Sequence, residues 1–544
     1  MSISLTDRTI VKRLIAIGSD SLCYEGTGVS AGTLVKLDNS DGDIDTSNYL
    51  EMCEAYQKVF IVNGTNLKVA DFVNIKITTD DILPADKTIP LKGDILTGGT
   101  SEAKMVVDFI TATDGACSIY GYRTTDETFA DTETVTGTND NGDISFELNA
   151  NETSGPLWYD WTVYSGDTTN YGTLPEQAYL IALYRGRVVV SGDFQHPHQW
   201  WMSKIGDPWN YNTAGTDTID AVTHTNSDVG ELGDIVTVLI SYKDDFLIFG
   251  CANSIWVMVG DPRAQGQLAE MSLTTGIWGS RSWCFDSNNN FYFLGNNGIY
   301  KVAVSESFGA PENISQLALP NFIADWDLDK SLHRVSMAFD PARNGILICK
   351  TTLADGTNSN YFYSLTTGGF YPETYPKECA AYSLFYYPAN DDTYKNLLVG
   401  CTDGYIREFL DSEKDDDIGD TNEAISSYVV LPIKLIAENE DKEGKLLWLN
   451  GVTAGGASGG DFLDSDSVDW SIYVGDDAET VLEDIKDGAI AFATGTWSGT
   501  GKQSKSRMKA RGTYIGIKLA NSTASETWAI NKIFGEVKSA GRLK

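Results

Sequence analysis

Residues 238–302 state one local pattern twice, and a chain built on that pattern has few ways to fold. VLISYKDDFLIFGCANSIWVMVG runs from an apolar strand through a polar turn at Lys243, Asp244 and Asp245 into a second apolar strand. A turn from Gly250 to Ser254 then leads into a third. SWCFDSNNNFYFLGNNGIYKV repeats that order, with turns from Ser287 to Asn290 and from Gly295 to Gly298. Polar turns of a few residues between apolar, aromatic-rich runs predict a β-meander. Asn and Gly serve at the turns because they tolerate positive φ.

The unit recurs at 55–72, 183–193, 339–371 and 386–410. Its strand centres are Val189, Leu247, Tyr292, Leu347 and Leu398, spaced by 58, 45, 55 and 51 residues. Several short strands per unit at such a period are the signature of β-propeller blades. A single unit cannot bury both faces of its sheet, so neighbouring blades must stack. The alternative is an open series of meanders forming one or two sandwiches. With 52 Gly, frequent Thr, Asn and Asp, and few helical patterns, the chain reads as all-β.

The period also organises the domains. Residues 1–75 supply opening strands and a first blade unit. From 60 to 189 the strand-to-strand gap is 129 residues, more than twice the period, so 76–152 reads as an inserted small β-module. Such insertions map to one face of a scaffold, often a binding face. Residues 153–420 form the propeller body, and the acidic run DSEKDDDIGD at 411–420 closes it as an exposed, mobile linker. Residues 421–544 restart strand patterning as a C-terminal β-sandwich-like domain.

Charge is uneven. The chain carries a net −36, yet from residue 500 onward ten Lys/Arg stand against Glu526 and Glu536. The acidic balance argues against general affinity for nucleic acid or anionic membrane. The basic stretch, with Lys502, Lys505, Arg507, Lys509 and Arg511, reads either as a solvated strand face or as a docking surface. Its candidate partners are an acidic protein, another subunit and DNA phosphate. The Trp-dense loop after residue 191, with Trp200, Trp201 and Trp209, is either blade packing or an interface.

Motifs for chemistry fail on context. Residues 456–460 match G-x-S-x-G, but no helix follows and the last His is His333. GTWSGTGKQ at 495–503 has the wrong glycine spacing for a phosphate loop, and Gln503 stands where Ser or Thr must bind Mg²⁺. His196 and His198 lack the partners of a metal site. The eight cysteines form no CxxC pair and read as small core residues. No run of 18 apolar residues predicts a membrane helix, and the opening residues lack a secretory signal. No catalytic, metal or cofactor residues are assigned, and the chain is expected not to be an enzyme.

Residues 183–212 carry a resemblance. RGRVVVSGD, then HP, then WMSKIGDPWNY is similar to phage virion proteins in which a strand precedes S-x-x-G-D-P-x-(N/D)-(F/Y). DDFLIFGCANSIW (244–256), TGIWGSR (275–281) and WAINKIFGEVKSAGR (528–542) fit the same group. Gly93 to Ser101 and Phe129 to Gly137 resemble a short repeat of phage structural proteins. The group is the tail-hub, nozzle or packaged-DNA stabilisation proteins of short-tailed phages.

The resemblance implies a virion protein assembled in the host cytoplasm. It implies a homo-oligomeric ring, a hexamer, below the portal and adaptor proteins. The ring would contact tail fibres or a needle, continue the DNA channel without sequence-specific binding, and retain the genome until ejection. An acidic lumen would let DNA slide without sticking. A receptor-binding or fibre-anchoring tail protein is the alternative, and a propeller glycan hydrolase a further one.

Overall fold

The computed structural model describes residues 1–542 apart from 7–9, 20, 27–32, 48, 81–87, 114, 228, 305–307, 411–412, 420, 438–441 and 455–463. The chain divides into two compact units: Met1–Thr374 with Ala381–Arg407, and Tyr375–Ala380 with Glu408–Lys544. The G-x-S-x-G stretch lies outside the described residues.

The first unit is a β-propeller of seven small antiparallel sheets. The first sheet comprises Ser2–Thr6, Ile10–Gly18, Ser21–Glu25 and Leu34–Lys36. The next five begin at Glu51, Leu180, Val236, Trp283 and His333, with four strands each. The seventh has three: Ala381–Tyr386, Leu397–Cys401 and Ile406–Glu408. Val189, Leu247, Tyr292, Leu347 and Leu398 all fall on the second strand of their sheet. The KDD turn joins Val236–Tyr242 to Phe246–Cys251 with Lys243 and Asp244 at φ 52° and 58°. Two positive φ values in a tight hairpin match the right-handed twist of the strands it connects.

Sheets stack through shared apolar layers. Val238, Ile248 and Ile255 of the fourth pack with Phe291, Phe293 and Val302 of the fifth. Gly250 permits the approach, because a Cβ there would lie 2.5 Å from Val238 Cγ1 and 2.6 Å from Ile277 Cδ1. First strands lie beside one another from the second sheet to the fourth and again from the fifth to the seventh. The ring closes between the seventh and first sheets without sharing a strand. Lys12 N donates to Asn390 Oδ1 at 3.0 Å, and Asn390 Nδ2 donates back to Lys12 O at 3.1 Å.

Two boundaries differ from the sequence reading. Residues 1–75, read as opening strands and one blade unit, contribute one complete sheet and three strands of the second, so the opening strands are themselves a blade. The alternation there is blurred because Ile10–Gly18 is mostly half-buried on both faces. The acidic run near 411–420 holds a short strand, Asp415–Asp417, paired with Asn422–Ala424. Asp415 accepts from Ser525 N at 2.8 Å and Ser525 Oγ at 3.0 Å, so this segment is braced rather than a free linker.

The inserted module leaves the second sheet after Leu67–Asp71 and returns to supply its outer strand, Leu157–Asp160. Between them lies a six-stranded sheet from Ile75–Thr79 to Gly142–Glu147. Its core is continuous with the propeller's: Phe109 stacks on Trp209 at 4.2 Å and 21°.

The second unit is sandwich-like. One sheet contains Ser427–Val430, Tyr514–Asn521, Val468–Gly475 and Ala493–Trp497. The other is built on the long strand Lys442–Thr453, flanked by Ser506–Gly512 and Ile530–Arg542. Trp470, Ile472, Trp497 and Leu519 face Leu446, Leu449 and Ala510 between the sheets. The helix Ala478–Lys486 covers the outer side of the first sheet, burying Val481 and Ile485 against Tyr473. Among the described residues no helix is long and apolar enough to cross a membrane.

Candidate functional site

The strand Ser506–Gly512 reads SRMKARG, and its period of two decides which side chains meet solvent. Met508 and Ala510 turn into the sandwich, while Arg507, Lys509 and Arg511 are exposed on the opposite face. The neighbouring strands extend that face. Lys445 stands in register with Arg511 on one side and Lys538 on the other. Three cations thus form a row across three strands. A second row is Arg507, Trp448 and Glu536, and a third is Lys502, Val452 and Lys532. Like charges directly opposite one another destabilise a sheet, and Glu443 and Glu536 offset only part of the positive charge on this face.

Aromatic side chains sit among the cations. The Lys505 ammonium lies 3.9 Å from the Trp448 ring centre. Trp448 Nε1 donates to Glu536 Oε2 at 2.8 Å, and Phe534 meets Trp448 edge-on at 6.0 Å. Hydrogen bonds from Trp448 and Lys538, with the charge of Lys505 behind them, hold the Glu536 carboxyl below its usual range. Arg511 pairs with Glu443, and Lys538 with Glu536 at 3.4 Å. Among the described residues Lys502, Arg507 and Lys509 form no ion pair. The sequence reading placed Lys502, Lys505, Arg507, Lys509 and Arg511 in one cluster, and the fold brings them to one face. It missed Lys445, Trp448 and Phe534, which lie outside the run of basic residues. The lysine–aromatic spacing in KEGKLLWLN was the available signal.

The aromatic loop resolves differently. Trp200 and Trp209 are both 0% exposed and belong to the core, which removes them as external interface residues. Trp200 packs among the third and fourth sheets, and Trp209 against Phe60, Phe109 and Tyr159. Trp201 is half-buried against the same core. Burial was favoured physically because a flat, wide indole fills the gap between diverging sheets. His198 lies 5.5 Å from His224, ring to ring, and no group of three potential metal ligands occurs among the described residues. The glycine-rich stretch at 495–503 runs from the end of the strand Ala493–Trp497 through a turn into the short strand Gly501–Lys502, and Gln503 Nε2 donates to Thr453 Oγ1 at 2.9 Å.

A second gathering of charge lies in the first unit, at the leading ends of the sheets' first strands. Arg281 Nη2 donates to Leu50 O at 2.6 Å, and its Nε lies 3.4 Å from Glu51 Oε1. Ser280 Oγ donates to the same carboxylate oxygen at 2.6 Å. Arg334 lies over Tyr49 at 4.9 Å and Tyr382 at 5.0 Å. Burial first, and then the nearby Arg281, pull its pKa below the ordinary arginine value. These contacts join the second sheet to the fifth, and the sixth to the seventh.

No family model and no curated protein matches this chain. Among solved structures it is similar to the extracellular domain of a putative one component system from B. thetaiotaomicron, at 10% identity and a TM-score of 0.29. That alignment covers 85% of this chain and 60% of the other, so the chain spans less than two thirds of that protein's length. A Lactobacillus plantarum protein aligns at 12% identity over 62% of this chain and 95% of its own, with a TM-score of 0.26. An auxiliary nutrient binding protein from Bacteroides ovatus aligns at 9% identity over 68% and 88%, with a TM-score of 0.23.

Proposed function

We propose that this chain is a structural virion protein of a phage tail, a hub or nozzle subunit. In this reading it continues the DNA channel, retains packaged DNA and lets it pass at ejection. The observation that carries the reading is the work done by the loop that resembles such proteins. Pro208 O accepts from Trp161 Nε1 at 3.1 Å, and Trp209 O accepts from Tyr164 N at 3.0 Å. Tyr211 N donates to Tyr171 O at 2.7 Å. The loop's residues fasten the segment that follows the outer strand Leu157–Asp160, and Trp209 and Asp207 reach Phe109 and Lys92 of the inserted module, as expected of a rigid building block rather than a catalytic centre. Short, protected strand edges limit stray pairing in such a block.

The bridging of the second and fifth sheets by Arg281 bears on where DNA would run. A propeller whose opposite sheets touch through side chains leaves no duplex-wide bore, so the conduit would lie among copies of the chain. Cryo-electron microscopy of intact particles tests the reading, with density for this chain expected in a ring beneath the portal. Particles assembled without it should lose their DNA. Absence from purified virions overturns the proposal.

A fibre-anchoring or receptor-binding role is the second reading. It is favoured by an open cleft of about 460 Å³ on the inserted module, lined by Thr97, Thr136, Thr138, Asp143 and Ser145. Loss of host adsorption, with DNA retention intact, on cleft substitution would favour it.

A further inference from the structure

We propose that the basic sheet face of the second unit docks on the acidic helix side of the same unit in another copy of this chain. The two surfaces lie on opposite sides of one sandwich. One sheet presents Lys445, Lys502, Lys505, Arg507, Lys509 and Arg511 outward, and the helix Ala478–Lys486 covers the outside of the other sheet. Along that helix and its flanks, Asp476, Asp477, Glu479, Glu483 and Asp487 are exposed, with Lys486 the cation among them. Three apolar side chains share that side: Leu482 is 38% exposed, Phe492 53% and Ile490 99%. A nearly bare isoleucine beside a half-bare phenylalanine costs hydration free energy unless something covers them.

The match is twofold. Cations meet carboxylates, and Phe534, half-buried at the edge of that face, offers apolar surface to Leu482, Ile490 and Phe492. Complementary potentials steer such an encounter, and desolvated aromatic anchors hold it. Nucleic acid is the competing occupant. It fits less well because Lys505 covers the Trp448 ring, which closes a platform that a base would need. The chain's net charge of −36 also repels a long polyanion, while it supplies the acid for a second copy. The inference deepens the ring reading by naming the contact surfaces, but it is tested on purified protein and stands or falls apart from virion location.

Sedimentation velocity of the full chain at 50 mM and 500 mM NaCl tests it. Assemblies are expected at low salt, with affinity weakened at least tenfold at high salt. K505E/R507E/K509E and E479K/E483K/D487K should each lose self-association at least tenfold. Mixed together they should recover one-to-one pairs, because each retains one intact surface. The neutral set K505Q/R507Q/K509Q, checked for an unchanged melting temperature, guards against a folding defect and should also weaken assembly. A wild-type monomer at both salts overturns the proposal, as does a mixture that fails to pair. Binding of a 30-base-pair duplex by monomeric wild type, lost in K505E/R507E/K509E, would overturn it in favour of nucleic acid.

Discussion

Arg281 reaches from the start of the fifth sheet to the carbonyl oxygen of Leu50 at the start of the second, at 2.6 Å. These sheets are not neighbours in the ring, so the contact ties together parts of the propeller that stacking alone does not. Arg281→Met should leave the Leu50 carbonyl and Glu51 without this donor. The expected cost is about 1–3 kcal/mol, read as a fall in melting temperature at pH 7. An unchanged melting temperature would show that the strut contributes nothing.

A second relation predicts pH dependence. Lys58, only 5% exposed, reaches Asp108 Oδ2 of the inserted module at 3.0 Å, and Lys92 reaches Asp108 Oδ1 at 3.1 Å. Asn74 Nδ2 donates to Asp108 Oδ2 at 2.9 Å. Burial alone would raise the Asp108 pKa, but the two lysines and Asn74 outweigh it and hold the carboxyl well below its usual value. A depressed folded pKa stabilises above the unfolded value of about 3.9 and is lost as pH falls through the folded one. Urea midpoints should therefore drop as pH falls below about 4. Asp108→Asn should cost about 3–5 kcal/mol at pH 7 and flatten that acid limb. A variant with the same acid slope as wild type would refute the assignment to Asp108.

The inserted module and the propeller share a core through Phe109. Phe109→Ala removes a ring that contacts Trp209, Tyr120, Tyr159 and Tyr164. The expected loss is about 3–5 kcal/mol, with tryptophan emission shifted to the red as Trp209 gains water. A loss below about 1 kcal/mol would mean that the module packs as a separate body.

Thiol reactivity gives a check without mutation. Cys117, Cys251, Cys284, Cys349 and Cys401 are buried, and none of the eight cysteines is in a disulfide. Burial pushes the Cys251 and Cys53 thiols up to about 12. Alkylation of native protein at pH 8, followed by mass spectrometry, should label Cys23 and Cys379 first and all eight only in denaturant. Rapid labelling of Cys284 or Cys349 would contradict the packing of the fifth and sixth sheets.

The propeller was legible because its strongest sheets advertise themselves. Residues such as Leu247 and Leu347 sit in second strands buried on both faces, and hairpin turns such as Lys243–Asp244 bracket them. The first sheet was less visible, since IVKRLIAIG is half-exposed and mixes cations with apolar residues. The fate of Trp200 and Trp209 was not decidable from the chain. An indole in a loop signals contact, but only the fold shows that the partner is internal: the fourth sheet for Trp200 and the inserted module for Trp209. The basic strand was legible as charge, and its face became defined only when Lys445 and Lys538 came into register beside Arg511.

The ring's last joint has a consequence of its own. Every other pair of neighbouring sheets is linked by continuous chain, whereas the seventh and first meet through side chains, Asn390 gripping both backbone groups of Lys12 and Tyr387 donating to Glu25. The molecule therefore has a single seam. Under tension or mild denaturant the circle should part there first, like a bracelet at its clasp, and amides near Lys12 should exchange with solvent before those of any interior sheet.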